Sequence, residues 1–179
     1  MLFDKDGNAW INTMGGLVKY DGEKWTKYDQ YNPILNGILI SDIAFDDSGV
    51  LWVASDNVLY TLSNNVLVRK AIFSKKIYYI EKGKDGSVWL ALDGRMAKYS
   101  TNEVRELYWE GLTEKENIRD IAVDSDNSVW IALYDNGLRK FDGVKFIDYS
   151  QHLPSTYLTS VNIDNKGMGI FTECRYYSI

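Results

Sequence analysis

The side chains in this sequence that could carry chemistry are few in kind. Among 179 residues there is one histidine, His152, and one cysteine, Cys174, with 25 Asp plus Glu against 20 Lys plus Arg. A lone histidine before Pro154 assembles no Ser/His/Asp set, and no Gly-x-Ser-x-Gly turn presents a strained nucleophile. Zinc would need several His or Cys ligands, and a single cysteine forbids an internal disulfide. Carboxylate pairs are plentiful, Asp46 with Asp47 and Asp124 with Asp126 among them, so the inventory alone leaves glycosidase chemistry open. Met14-Gly15-Gly16-Leu17 joins two strand-like runs with no helix behind it, which removes the usual phosphate cradle. The net charge of −5 argues against a nucleic-acid backbone as partner. The expectation is no catalytic residue, no metal and no cofactor.

The elements that must position any site come from an internal repeat. Asp4-Lys-Asp-Gly7-Asn-Ala-Trp10, Asp46-Asp-Ser-Gly49-Val-Leu-Trp52, Gly83-Lys-Asp-Gly86-Ser-Val-Trp89 and Asp124-Ser-Asp-Asn127-Ser-Val-Trp130 recur with their tryptophans 42, 37 and 41 residues apart. A decayed copy follows at Asp164-Asn-Lys-Gly167-Met-Gly-Ile170. Such a period marks an array of supersecondary units. Each unit reads as four short strands, A to D. Strand A includes Ile40-Ser-Asp-Ile43, Ile77-Tyr-Tyr-Ile80, Ile118-Arg-Asp-Ile121 and Tyr157-Leu-Thr-Ser-Val161, and strand B carries the Trp. Strand C carries Leu17, Leu59, Met96 or Leu138, and strand D follows a second polar turn such as Asp21-Gly22 or Asp142-Gly143.

The local physics supports strands. Asp accepts hydrogen bonds from turn amides, and Gly or Asn takes the positive φ of a tight A/B hairpin. Runs such as Val50-Leu-Trp-Val-Ala54 are short, β-branched or aromatic, and bounded by turn residues. Val50, Trp52 and Ala54 are expected on one face of that strand, with Leu51 and Val53 on the other. A strand apolar on both faces must be covered on both, so each sheet is sandwiched between neighbours. Four-stranded sheets of about 40 residues stacked around an axis are propeller blades, and an open, solenoid-like stack is the structural alternative. The fold class is thus all-β: a β-propeller of about four four-stranded antiparallel blades plus a partial fifth. Its single domain covers residues 1–179, with repeats near 1–39, 40–75, 76–116, 117–156 and 157–179. Trp10, Trp52, Trp89 and Trp130 are expected to be the wedges that seal one blade on the next, because their period matches the fold and not a ligand.

Antiparallel order places the A/B and C/D turns at one end of each blade and the B/C and D/A connections at the other. The second end holds the longest connections, residues 29–39, 110–117 and 150–156, and is the expected functional face. Candidate ligand-binding residues there are Asp56, Asp93, Tyr134 and Asp135 at the B/C tips and His152 in a D/A connection, where acids could meet a cation, a sugar hydroxyl or a basic peptide. The alternative is that Asp56, Asp93 and Asp135 form turns beside Asn57, Gly94 and Asn136, and that His152 is a solvated loop residue.

Ile-x-x-Ile-x-x-Asp-x-x-Gly-x-x-Trp-Ile followed by Gly-Leu-x-Lys-Tyr-Asp-Gly-x-x-Trp/Phe resembles the two-component-regulator propeller repeat. Residues 118–149 match it best, and the second and third units lose the Gly-Leu pair and the Asp-Gly turn. The resemblance implies a sensor propeller of the kind found in the periplasmic regions of hybrid two-component histidine kinases of gut bacteria, which respond to glycans. It implies a carbohydrate or small-molecule ligand, and a periplasmic location if the chain is an excised sensor domain. No kinase or response-regulator segment is in the sequence, no apolar run approaches the roughly 18 residues of a membrane span, and the first residues do not read as a secretory signal.

Family propellers usually carry more blades. Three arrangements therefore stay open: a ring closed by residues 157–164 beside Trp10 and Ile11, a larger ring completed by a second chain, or part of a longer propeller. Unpaired blade faces lead to the expectation of homo-oligomers through the terminal blades. The function classes are a non-enzymatic ligand-recognition module, an interaction or oligomerisation scaffold, and a small propeller enzyme. Streptogramin lyase is a similar propeller and the best enzyme comparison, but its activity is associated with more than one histidine.

Overall fold

The computed structural model describes residues 1–13, 15–28, 39–63, 66–107, 117–164 and 169–173. Four antiparallel four-stranded sheets follow one another along the chain. Blade 1 is β1 Leu2–Phe3, β2 Ala9–Thr13, β3 Gly16–Tyr20 and β4 Trp25–Lys27. Blade 2 is β5 Ile40–Phe45, β6 Leu51–Ser55, β7 Val58–Ser63 and β8 Val66–Ile72. Blade 3 is β9 Ile77–Lys82, β10 Val88–Leu92, β11 Arg95–Ser100 and β12 Glu103–Leu107. Blade 4 is β13 Ile118–Val123, β14 Val129–Leu133, β15 Gly137–Phe141 and β16 Phe146–Asp148. After a short 3-10 turn, Ser150–His152, β17 Leu158–Ile163 pairs with β18 Gly169–Glu173. Each sheet keeps sequential order, and strands A of successive blades approach one another across the blade boundaries, so strand A is innermost.

The A/B turns form as their residue types require. Asp4 Oδ1 accepts the amides of Asp6 and Asn8 at 3.0 and 2.9 Å, and Asp46 Oδ1 accepts those of Ser48 and Val50 at 3.0 Å. Asn127, the one A/B turn residue here that replaces glycine, takes φ 65°. Val50 lies in such a turn, just ahead of β6, and not on the strand face with Trp52 where the alternation puts it. The turn carboxylate holding its amide explains the difference.

Four buried clusters make the core, one at each blade boundary. Trp10, Leu17 and Tyr28 of blade 1 meet Ile43, Leu51, Val53 and Leu67 of blade 2. Trp52 and Leu59 meet Ile80, Val88, Leu90 and Tyr99 of blade 3, and Trp89 and Met96 meet Ile121, Val129, Ile131 and Phe141 of blade 4. Trp130, partly buried, packs with Leu138 and Tyr149 against Leu158 and Val161 of β17. The Trp-bearing face of each blade thus covers the opposite face of the next blade along the chain. Covering a strand on both sides is what makes β6 and β10 buried at every position.

Two expectations about the ends resolve differently. Residues 158–163 lie on blade 4 and pair with β18, so the ring is not closed by this stretch lying beside Trp10 and Ile11. The first face of blade 1 is open: Phe3 is 63% and Trp25 57% exposed, whereas Leu67, at the position of Trp25 one blade on, is 3% exposed.

Candidate functional site

At the B/C and D/A end, the first residues of strand A in blade 4 meet the B/C tip of the same blade. Arg119, second in β13, stacks its guanidinium 4.5 Å from the ring centre of Tyr134. Tyr134 in turn meets Tyr157 edge-on at 5.8 Å. The position of Arg119 is held in blade 3 by Tyr78, whose ring lies 5.2 Å from Lys76 Nζ. The cause is local. A bulge opens β13 between Ile118 and Asp120, and the amide of Tyr134 donates to Asn117 O at 3.1 Å, which fixes the tip of blade 4 against the start of its own inner strand. A guanidinium stacked on Tyr134, with Tyr157 exposed at the edge of the same ring, offers flat apolar faces beside hydrogen-bond donors. That combination suits a sugar ring or another planar polar ligand.

Beneath this face the inner strands carry half-buried acids. Asp42 Oδ2 accepts the Ile80 amide of the next blade at 3.0 Å, and Asp120 Oδ2 accepts the Val161 amide of β17 at 3.0 Å. Their other oxygens take the amides of Ile43 and Ile121 at 2.9 and 3.0 Å. Blade 3 has Tyr79 at this position. Burial pushes the Asp42 carboxyl up to about 6 despite those amides, and burial also raises Asp120. Glu81, where blades 2 and 4 have Ala44 and Ala122, is raised by burial to about 7, with the charges of Asp42 and Asp120 adding to the rise. Burial raises the Tyr79 hydroxyl, and the Asp120 charge adds to it.

Of the residues expected from sequence, only Tyr134 belongs to this cluster. Asp56, Asp93 and Asp135 are exposed at their tips. Asp56 takes φ 50° and its carbonyl accepts the Ile77 amide at 2.7 Å, while the Asp93 amide donates to Lys76 O at 3.0 Å. The Asp56 backbone thus ties blade 2 to blade 3, while that of Asp93 ties its tip to the start of its own inner strand. His152 is exposed on the 3-10 turn, with its ring 6.3 Å from that of Tyr149. Gly137 is needed beside that turn: its φ is 69° and an added Cβ would lie 3.2 Å from Ser150 Cα. Among the described residues no hydrogen bond, ion pair or ring contact joins any two of Asp56, Asp93, Tyr134, Asp135 and His152, and no group of three or more His, Cys, Asp or Glu could hold a metal ion. The D/A connections at residues 29–38 and 110–116 lie outside the described residues. Arg119, Tyr157 and Tyr78 were the residues sequence reasoning passed over. Arg119 and Tyr78 share the second position of strand A, which was the available signal for those two, whereas Tyr157 lies just ahead of β17 and shares no such place.

No family model matches the sequence, and no curated protein matches it. Solved structures do match by shape. The virginiamycin B lyase of Staphylococcus aureus superposes with a TM-score of 0.80 at 16% identity, covering 96% of this chain and 61% of that one. An extracellular domain assigned to a one-component system of B. thetaiotaomicron gives 0.77 at 17% identity, covering 98% of this chain and 27% of that one. Another, assigned to a hybrid two-component system of the same organism, gives 0.76 at 20%, covering 95% and 26%. The chain therefore spans about three fifths of the lyase and about a quarter of the two extracellular domains. Extracellular domains of one- and two-component systems thus stand among its structural neighbours, in keeping with the repeat resemblance. Together with the four stacked sheets, these likenesses make the chain an all-β propeller, with four four-stranded blades and two further strands among the described residues.

Proposed function

We propose that this propeller is a non-enzymatic ligand-recognition module, and that it takes a carbohydrate at the Arg119, Tyr134 and Tyr157 cluster. The observation that carries this reading is the guanidinium stacked on Tyr134 with Tyr157 edge-on to the same ring. Sugar rings stack on aromatic faces through their C–H groups, while arginine donates to ring hydroxyls. The likeness to extracellular sensor domains supports the class of function. Asp42 and Asp120 spend their carboxylate oxygens on blade amides, which suits a structural clamp better than proton transfer. A lyase activity would draw on more than the exposed His152. The test is a thermal-shift screen against neutral and acidic oligosaccharides, followed by titration of Tyr134→Ala and Tyr157→Ala. A sugar that raises the melting temperature of the wild type and of neither variant supports the reading. A turnover product in the same incubations would replace it with an enzymatic one.

A second reading is favoured by a separate observation. On the open face of blade 1, Tyr20 and Trp25 stack at 4.5 Å beside exposed Phe3. A blade-like apolar surface of a second copy would cover this face as blades 1, 2 and 3 cover the blades that follow them.

A further inference from the structure

Among the described residues three arginines are half-buried, Arg95, Arg119 and Arg139. The chain neutralises two of them itself. Arg95 Nη1 lies 3.4 Å from Glu106, and Arg139 Nη1 pairs with Asp148. Arg119 departs from this pattern: among the described residues no hydrogen bond and no ion pair engages any of its nitrogens, and its guanidinium rests on the ring of Tyr134 at 4.5 Å. A cation drawn partly out of water is costly until an anion meets it.

The carboxylates closest to it in the chain do not serve. Asp120 gives Oδ1 to the Ile121 amide and Oδ2 to the Val161 amide, both at 3.0 Å. Asp42, at the same position two blades earlier, is spent in the same way on Ile43 and Ile80. Asp135 follows Tyr134 directly, but it is exposed at its tip and makes no ion pair with Arg119.

The two edges of the Arg119 guanidinium differ. Its Nε is sealed from solvent without a partner, whereas Nη1 and Nη2 are not sealed. Tyr134 fixes the plane of the group, and the tip that carries Tyr134 is itself held by the bond from its amide to Asn117 O at 3.1 Å. A planar fork with its outer pair of N–H groups open is what a carboxylate meets with two parallel hydrogen bonds. A neutral hydroxyl would take one N–H and leave the charge unmatched. Tyr157, 43% exposed and edge-on to Tyr134 at 5.8 Å, supplies apolar surface for the rest of such a ligand.

We infer that the carbohydrate taken at this cluster is an acidic sugar, a uronic acid whose carboxylate docks on Nη1 and Nη2 of Arg119 while its ring packs on Tyr157. The inference rests on the carbohydrate reading above and narrows its ligand class.

The experiment titrates the whole chain with glucuronate, glucose, glucose 6-sulfate and acetate at matched ionic strength, following the backbone amide resonances of Tyr134 and Tyr157. Glucuronate should give saturable shifts with a Kd about tenfold below that of glucose, the difference expected of a charge-assisted pair of hydrogen bonds. Glucose 6-sulfate and acetate should both bind more weakly than glucuronate. Arg119→Gln should bring glucuronate to the level of glucose and leave glucose within about twofold of its wild-type value, which shows the rest of the site intact. Arg119→Lys keeps the charge but not the fork, and should also weaken glucuronate several-fold. Equal binding of glucose and glucuronate by the wild type, or an undiminished preference in both variants, would overturn the acidic-sugar inference and leave the carbohydrate reading standing. Acetate or glucose 6-sulfate binding as well as glucuronate would overturn it too, since the carboxylate and the sugar ring would then not be read together. No shift with any of the sugars would overturn both.

Discussion

The carboxylate of Asp46 holds the indole of Trp52 by a hydrogen bond of 2.9 Å, from a hairpin turn to the strand that leaves it. The same carboxylate accepts the turn amides of Ser48 and Val50, so one side chain shapes the hairpin and aims the indole at the next blade. Removing the indole should cost about 3 to 5 kcal/mol through the cavity it leaves. Asp46→Ala should cost about 1 to 3 kcal/mol, because it strands a buried donor and loosens the turn. In the double variant the costs should fall short of their sum. Urea unfolding curves of the three proteins check this, and a Trp52→Ala loss below about 1 kcal/mol would mean that the indole does not seal the blades.

Stability should peak on the acid side of neutrality. The Glu81 carboxyl is pushed by burial from 4.5 to about 7, so the folded chain keeps a proton that the unfolded chain releases across that window. Stability therefore falls as pH rises from about 4.5 to 7 and stays low above it. Asp42, raised by burial to about 6, acts in the same direction. The opposite limb comes from turn acids. Burial tends to raise Asp4 and Asp85, but hydrogen bonds from Trp10 and Asn8 to the one, and from Lys98 and Ser87 to the other, prevail and hold both at about 2. Their contribution is complete above 3.8 and is lost as pH falls toward 2. Glu81→Gln should flatten the upper limb, improving stability near pH 8 by about 3 kcal/mol more than it does near pH 4. Thermal melts across pH measure it, and parallel curves for the two proteins would contradict the burial of that charge.

The open face of blade 1 predicts self-association. Phe3 and Trp25 lie on the side of their sheet that packs under a tryptophan in each of the next three blades. Light scattering should report species larger than one chain at high micromolar concentration, and Trp25→Asp should return them to monomer. A strict monomer for the wild type at that concentration would count against an interaction role for this surface.

The blades were legible in the sequence because their cause is local. The turn acid, the residue with positive φ and the Trp all fall within seven positions, and the recurrence of Leu17, Leu59, Met96 and Leu138 fixes where strand C begins. The bond from Asp4 to Trp10 was legible too, as a constant spacing of six, but only once a hairpin places the two ends together. The candidate site was less so. Asp56, Asp93 and Asp135 are conspicuous by type, yet they sit exposed in tight turns, with the backbones of Asp56 and Asp93 already taken up in hydrogen bonds. Arg119 and Tyr157 belong to different repeats, 38 positions apart, and meet only through Tyr134 and the blade-to-blade stacking. Nothing periodic marks them. Glu81 shows the converse case: its departure from the Ala of its sister blades is visible in an alignment of repeats, while its shifted titration follows from burial between sheets.

Binding at the axis-proximal face is tested most directly by mapping chemical shifts of the backbone amides with an oligosaccharide that stabilises the protein. Saturable changes centred on Arg119, Tyr134 and Tyr157, lost in Tyr134→Ala while that variant keeps its melting temperature within a few degrees, are the expected result. Changes confined to the A/B turns, or equal binding by Tyr134→Ala, would contradict a recognition site built on that cluster.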